Sequence, residues 1–262
     1  MMRIFRLFRS FLIYAVKREL EFRFDLFMFL VFDVLWFSLS VVSVFLIFRQ
    51  AGTVAGWTQQ EALLLVFVYY VSSAFLKVVV IPGAERLSEL VRSGSFDFFV
   101  TKPIDPQLLV SIQQMYVHEL VRSGATAGFL VWYLASVGIS VTAPQWILFI
   151  GTILLGAVGL YGFYFSIATL SFWIENLFNV GDLFREIMDA AKRPSDIFTG
   201  VASTIVTFVI PVGLIATIPT KILLGTEDWS GTIWMIVSSI ALFGCARLFF
   251  LASLRRYSSA SS

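Results

Sequence analysis

The sequence predicts an all-α integral membrane protein with six transmembrane helices and both termini in the cytoplasm. Three observations carry that prediction. Of 262 residues, 58% are hydrophobic and only 14% charged, and the mean hydropathy is +0.87, a balance that excludes a water-soluble enzyme. The apolar residues fall in charge-poor runs of the ~20 residues that cross a hydrocarbon core as a helix. Lysine and arginine collect in alternate gaps between those runs. The net charge of +2 is too small to suggest a nucleic-acid partner. The one cysteine, Cys245, rules out an internal disulfide, and the one histidine, His118, rules out a histidine metal cluster.

In chain order, residues 1–24 form an interfacial helix. Wound at about 100° per residue, Ile4, Phe5, Leu7, Phe8, Phe11, Leu12, Ala15 and Val16 share one half of it, and Arg3, Arg6, Arg9, Ser10 and Lys17 the other. Arg18 and Glu19 break the pattern, which predicts a bend before the chain enters the bilayer near Asp25. The competing reading, a signal peptide, requires an unbroken apolar core and a small-x-small cleavage site, and neither is present. Residues 25–81 hold spans one and two. Span one is Leu26 to Phe48, interrupted by Asp33; span two is Ala62 to Ile81, with Lys77 near an end set by Pro82-Gly83.

Residues 82–110 form a cytoplasmic segment. Leu87, Leu90 and Val91 share a face at i, i+3 and i+4, with Glu85, Arg86, Glu89 and Arg92 elsewhere, so the segment opens with a short amphipathic helix. Residues 111–174 hold spans three and four. No charge falls between Arg122 and Glu175, too long a run for one crossing, and Thr142-Ala143-Pro144 marks the turn. Residues 175–196 read as a charged cytoplasmic loop with an amphipathic patch at Leu183, Phe184 and Ile187, and residues 197–251 as spans five and six. Span five, Ile197 to Thr220, contains Pro211; span six runs from Trp229 past Ala246 to about Leu251. Residues 252–262 are a tail, and the whole is one domain.

An even number of crossings puts both ends on one side. Arg3, Arg6, Arg9, Lys17, Arg18 and Arg23 precede span one; Arg86, Arg92, Lys102 and Arg122 follow span two; Arg185, Lys192 and Arg193 follow span four; Arg255 and Arg256 end the chain. The opposite loops hold Arg49 and Lys221, so the former side is cytoplasmic. Trp36, Trp57, Trp146, Trp173, Trp229 and Trp234 fall mostly near span ends, as interfacial anchors.

The chain carries no G-x-x-x-x-G-K-[ST] phosphate loop and neither H-E-x-x-H nor G-x-S-x-G, so no catalytic residue or metal site is assigned. His118 and Glu119 are adjacent, and side chains one residue apart on a helix diverge by about 100°. They read as the polar end of span three, and Cys245 as a small packing residue. Asp33 and Lys77, the intramembrane charges, lie at similar depths on antiparallel spans. They read either as a pair bonded across the spans or as a lysine snorkelling to the headgroups beside an independent aspartate.

Two stretches resemble the type-two ABC export permeases, specifically a bacterial branch. Gly94-Ser95-Phe96-Asp97-Phe98-Phe99-Val100-Thr101-Lys102-Pro103-Ile104-Asp105-Pro106 is similar to that branch's G-x-[IF]-D-x-x-L-x-K-P-x-x-P segment, with Val100 in place of the leucine. Arg193-Pro194 through Ile197-Phe198, then Ile210-Pro211, Pro219 and Leu223-Leu224-Gly225, is similar to its span-five pattern. The resemblance implies a permease in the bacterial cytoplasmic membrane, working with a second permease, the same chain or a sister, and two ATPase subunits. ATP and magnesium would be held by those ATPases, with no cofactor in this chain. It also implies that residues 85–92 dock in the ATPase as a coupling helix, that the N-terminal helix is an elbow, and that residues 211–229 form an outer cap. The alternative is a small secondary carrier or channel, for which several deep acidic or histidine residues would be expected; Asp33 alone reads as one. The 28 phenylalanines suit lipid contact as well as an amphipathic cargo, and leave the substrate open.

Overall fold

A computed structural model describes residues 2–174 and 180–257, and the described residues are helical with no strand. Helix α1 is Met2–Glu21 and α2 is Arg23–Ala51. The chain breaks at Phe22 (φ −97°, ψ 52°), three residues beyond the expected bend. Most of α2 is unpacked: Val44 and Phe48 are its buried residues, while Phe24, Phe27, Phe29, Phe32 and Trp36 are all more than half exposed. An apolar helix so bare suits lipid or another subunit, not water.

Helix α3, Gln59–Phe75, is the opposite case. It starts on a capping box between Thr58 and Glu61, and Leu64, Leu65 and Val68 are fully buried at the centre of the molecule. Pro82-Gly83 does not end this span. A π turn, Leu76–Val80, leads into α4, Ile81–Arg92, and the whole of Gln59–Arg92 is one helical rod. Proline inside a helix has no N–H for the carbonyl four residues back and collides with it. Here the widened turn, with the Ile81 N–H bonding Leu76 O, makes room. The Val78 carbonyl that Pro82 cannot serve accepts instead from the Tyr116 N–H at 3.1 Å. Gly83 allows Ser111 to pass beside it: a Cβ there would lie 2.8 Å from Ser111 Cα.

Short helices α5, Asp97–Val100, and α6, Pro106–Gln113, then bring the chain to α7, His118–Val137, and α8, Ala143–Thr169. The turn between these two lies where Thr142-Ala143-Pro144 predicts, with Gln145 Oε1 accepting the Thr142 N–H at 2.8 Å. The last long helix, α12, is Trp229–Arg256 and packs along α8. Gly156, Gly159 and Gly162 form the contact face of α8. A Cβ at Gly162 would sit 2.5 Å from the Leu242 backbone, and one at Gly159 2.6 Å from Ser239 Oγ.

Among the described residues five helices are long and apolar enough to cross a membrane: α2, the α3–α4 rod, α7, α8 and α12. The expected fifth span is not among them. Ile197 to Thr220 is split into α10, Gly200–Thr204, a π turn at Ile205–Val209, a break at Pro211 and α11, Thr217–Leu224. Ile210, forced out of the helical region by the proline that follows (φ −118°, ψ 85°), turns the chain. Pro211, Leu214, Ile215 and Ala216 are buried, against α8 and α3, so this irregular backbone lies within protein.

Part of the expected cytoplasmic loop packs against α4 and α8. Residues 175–179 lie outside the described residues. Helix α9, Val180–Ala190, begins level with Glu85 and with Tyr164, whose ring lies 4.3 Å from Phe184. By Asp196 the chain has reached the α2–α3 linker, where Trp57 Nε1 donates to Asp196 Oδ2 at 2.9 Å. Its sequence hides this because its exposed face is charged and its helix is short. Trp57 is accordingly buried, not an interfacial anchor.

Candidate functional site

The linker between α6 and α7 is where α1 docks. Arg18 Nη2 donates to Met115 O at 3.2 Å, and Glu19 Oε1 accepts from the Val117 N–H at 2.6 Å and lies 3.1 Å from His118 Nδ1. The two residues that spoil the amphipathic pattern of α1 are therefore those that fasten it. His118 also stacks on Phe29 of α2, 4.9 Å between centroids and 7° from parallel.

One turn into α7, Arg122 and Glu119 form the centre of a buried charge cluster. Arg122 Nη1 lies 3.3 Å from Asp33 Oδ1, and its Nη2 pairs with Glu119. Lys77 Nζ is 3.8 Å from Glu119 Oε1. The Arg122 side chain is 6% exposed, and its guanidinium covers the Tyr70 ring at 5.4 Å. Asp33 and Lys77 are thus not bonded to each other: Arg122 answers the aspartate and Glu119 the lysine. Charges removed from water need partners at this depth. Sequence reading misses the cluster because Arg122 and His118-Glu119 sit at the margin of an apolar run, where they look like solvated ends.

Two adjoining cavities border the cluster. One, of 380 Å³, lies between α2, the α3–α4 rod, α7 and α9; the other, of 650 Å³, lies between α1, α2 and the start of α7. From α9 and its continuation, Asp189 and Lys192 close the smaller cavity. They pair at 2.5 Å, and Lys192 Nζ lies 5.7 Å from the Trp36 ring and 5.9 Å from Tyr69.

The residues expected to couple to an ATPase are divided by the structure. Leu87 and Leu90 are fully buried and Val91 half-buried, packed inside the bundle and not free for a partner. Glu85 faces the cavities. Arg86 and Glu89 pair with each other at 2.7 Å, and Glu89 and Arg92 are exposed. Leu87→Asp is therefore expected to prevent folding, visible as loss of the monodisperse peak on size exclusion; a folded variant would refute the packing described here.

The Gly94 to Pro106 segment turns on Gly94, whose φ of +69° suits glycine, and sends Phe96 inward. Phe96 is fully buried, edge-on to Phe172, Phe250 and Tyr257. Outside, Phe98 is 71% exposed, Lys102 Nζ lies 5.1 Å over Phe99, Asp97 is half-buried and Pro103 is exposed. Asp105 caps α6 through the Leu108 N–H at 3.1 Å, with Pro106 in the first turn. Arg247 of α12 grips Asp105 at 2.5 Å and Gln107 at 2.9 Å. Burial opposes the Asp105 charge, but Arg247 and the Leu108 and Gln107 N–H groups hold its carboxyl below the usual range. A depressed folded value means stability present above the ordinary aspartate pKa of about 3.9 and lost as pH falls through the lower one. Melting curves between pH 6 and pH 3, taken as rough bounds around that value, are expected to fall less steeply for Asp105→Asn than for the parent.

At the opposite end, Arg193 is exposed and Pro194 buried, leading into Asp196. Asp196 holds Lys221 of α11 at 3.0 Å as well as Trp57. Pro219 fits the first turn of α11. Among the described residues no group of three or more His, Cys, Asp or Glu is placed to hold a metal ion.

The family model described as ABC-2 family transporter protein matches residues 34–261. The chain belongs to the ABC-2 transporter family. No curated protein matches it. Membership makes this ABC-2 chain a multi-pass membrane component of an ABC transporter, associated with ABC ATPase subunits and not itself catalytic. The match begins within α2 and covers the rest of the described helices through α12, leaving out α1.

Proposed function

We propose that this chain is a permease subunit of an ATP-driven exporter, forming the path with a second permease and coupled to two ATPase subunits that bind ATP and magnesium. The observation that carries the coupling is Phe98, 71% exposed on the four-residue helix α5 at a charged end of the molecule. With Val100, 43% exposed two residues on, it makes an apolar patch beside Arg92 and Lys102 that suits a partner. The docking surface we assign is residues 92–103, with Arg92, Phe98, Lys102 and Pro103 outermost, in place of the buried Leu87 face.

In this reading the chain crosses six times, α9 and residues 191–196 making the fifth crossing, and both termini are cytoplasmic. The basic residues of α1 and the 86–102 region against Arg49, Arg193 and Lys221 opposite support that orientation. The membrane is the bacterial cytoplasmic membrane, and the bare face of α2 is open to lipid or to the second permease. Force from the ATPases enters at α5. It passes through Phe96 to α8 and α12, through the Asp105–Arg247 clamp, and along the rod that ends at Gln59. Segments 200–224, folded back into the bundle, close the outer end.

The test is affinity purification with a C-terminal tag in mild detergent. A P-loop ATPase is expected near one copy per permease, and Phe98→Asp is expected to lose it while keeping the parent's melting temperature. An ATPase retained by Phe98→Asp would remove the docking assignment, and none in the parent would remove the exporter reading. The buried cluster of Asp33, Lys77, Glu119 and Arg122 favours a second reading, a proton-coupled carrier, which predicts transport abolished by an ionophore and insensitive to vanadate.

A further inference from the structure

The two cavities share five lining residues: Asp33, Trp36, Glu85, Tyr116 and Glu119. Two of the three carboxylates are spoken for, Asp33 by Arg122 and Glu119 by Arg122 and Lys77. Glu85 differs. Half-buried on α4 between the cavities, it makes neither a hydrogen bond nor an ion pair among the described residues. The cation whose field reaches it, Arg185 across the smaller cavity, is itself paired with Asp182 at 3.0 Å, so a ligand cation would be the first in direct contact with this carboxylate.

The walls define that ligand further. Trp36 and Tyr116 offer aromatic faces at the shared wall, and Phe29 and Phe32 extend them along α2. In the larger cavity the charged lining is dominated by carboxylates, against Arg18 and His118. An anion would be repelled there. An organic ammonium or phosphonium would meet a carboxylate, ring faces for cation–π attraction and apolar walls for its body. The volume of 650 Å³ suits a ligand of drug size. Phe22, Phe29 and Phe32 at the α2 rim are each more than half exposed, so access is from the side of the bundle.

We propose that the larger cavity binds a lipophilic organic cation, with Glu85 as its charge partner and Trp36 and Tyr116 as its aromatic walls, while the smaller cavity, lined by Lys77, Arg122, Arg185 and Lys192, does not. That the cation is cargo rests on the permease reading; that it binds does not.

The probe is radiolabelled tetraphenylphosphonium, titrated against the full-length chain purified in detergent, with tetraphenylborate as the anion of the same shape. Saturable binding is expected that tetraphenylborate does not displace. Glu85→Gln is expected to weaken it by about tenfold or more, the scale of losing a charged partner. Trp36→Ala is expected to weaken it by about threefold to tenfold, the scale of a cation–π contact. Glu227→Gln, at the far end of the molecule, is expected to bind like the parent, and melting temperatures establish that each variant is folded. Should Glu85→Gln fail to fold, Trp36→Ala and the anion competition still decide. Absence of saturable binding, equal competition by tetraphenylborate, or parent-like affinity in folded Glu85→Gln would overturn the site. Binding by a chain that brings down no ATPase would leave the site and remove the exporter reading; an ATPase without binding would do the reverse.

Discussion

Arg122→Met is expected to lose about 3–5 kcal/mol of stability, the cost of withdrawing one member from a buried charge cluster. The arginine is the shared partner of Asp33 and Glu119, so its removal leaves two carboxylates competing for Lys77, which reaches Glu119 alone at 3.8 Å. Adding Asp33→Asn to Arg122→Met is expected to restore much of the loss, because Glu119 then keeps Lys77 and no carboxylate is left without a partner. Unfolding in mixed detergent, followed by tryptophan fluorescence, measures both. A loss below about 1 kcal/mol, the range of exposed pairs, would mean that water reaches the cluster freely. Neutralising Asp33 and Lys77 together is expected to depart from additivity, because the two belong to one network through Arg122 and Glu119 and not because they touch.

Gly162→Ala is expected to cost about 3 kcal/mol, the upper range for overpacking a well-packed contact. The added carbon would meet the backbone of Leu242 and Phe243 at 2.5–2.6 Å, and backbone, unlike a side chain, has no rotamer into which to retreat. Helices α8 and α12 would have to separate along their whole contact. Gly151→Ala, on the same helix with nothing within 4 Å, supplies the control: it is expected to be neutral, or to gain up to about 1 kcal/mol from helix propensity. Equal melting temperatures for the two variants would show that the α8–α12 contact is not tight.

Long apolar helices were legible in the sequence because a bilayer leaves few options: α2, α7, α8 and α12 follow the charge-free runs closely. Segments governed by tertiary contact were not. Pro82 looked like a stop signal, and a single hydrogen bond from Tyr116 to Val78 makes it tolerable inside a rod. Helix α9 looked like a solvated loop because Asp182, Arg185, Glu186 and Asp189 lie along it, yet its other face carries the buried Phe184, Ile187 and Met188. Pro211 is visible, and the family resemblance starts an outer cap there; that the apolar run from Ile197 to Thr220 is broken into short helices on both sides of it is not. For the site, the sequence marks Asp33 and Lys77 as charges within apolar runs and leaves open whether they pair; in the structure each meets a residue of α7 instead. Residues Glu19, His118, Glu119 and Arg122 come together from sequence positions about a hundred apart, a distance no local pattern reports.

The linker Met115–Val117 has a mechanical meaning. Three successive residues are tied to two other helices: Met115 to Arg18 of α1, Tyr116 to Val78 in the span-two rod, and Val117 to Glu19 of α1. Such a knot cannot be loosened one strand at a time. Tilting α1 would strain the very turn that accommodates Pro82, and straightening that turn would pull on α1. These elements are bound into one block beside the two cavities, and the short amphipathic α9 forms the opposite wall of the smaller one.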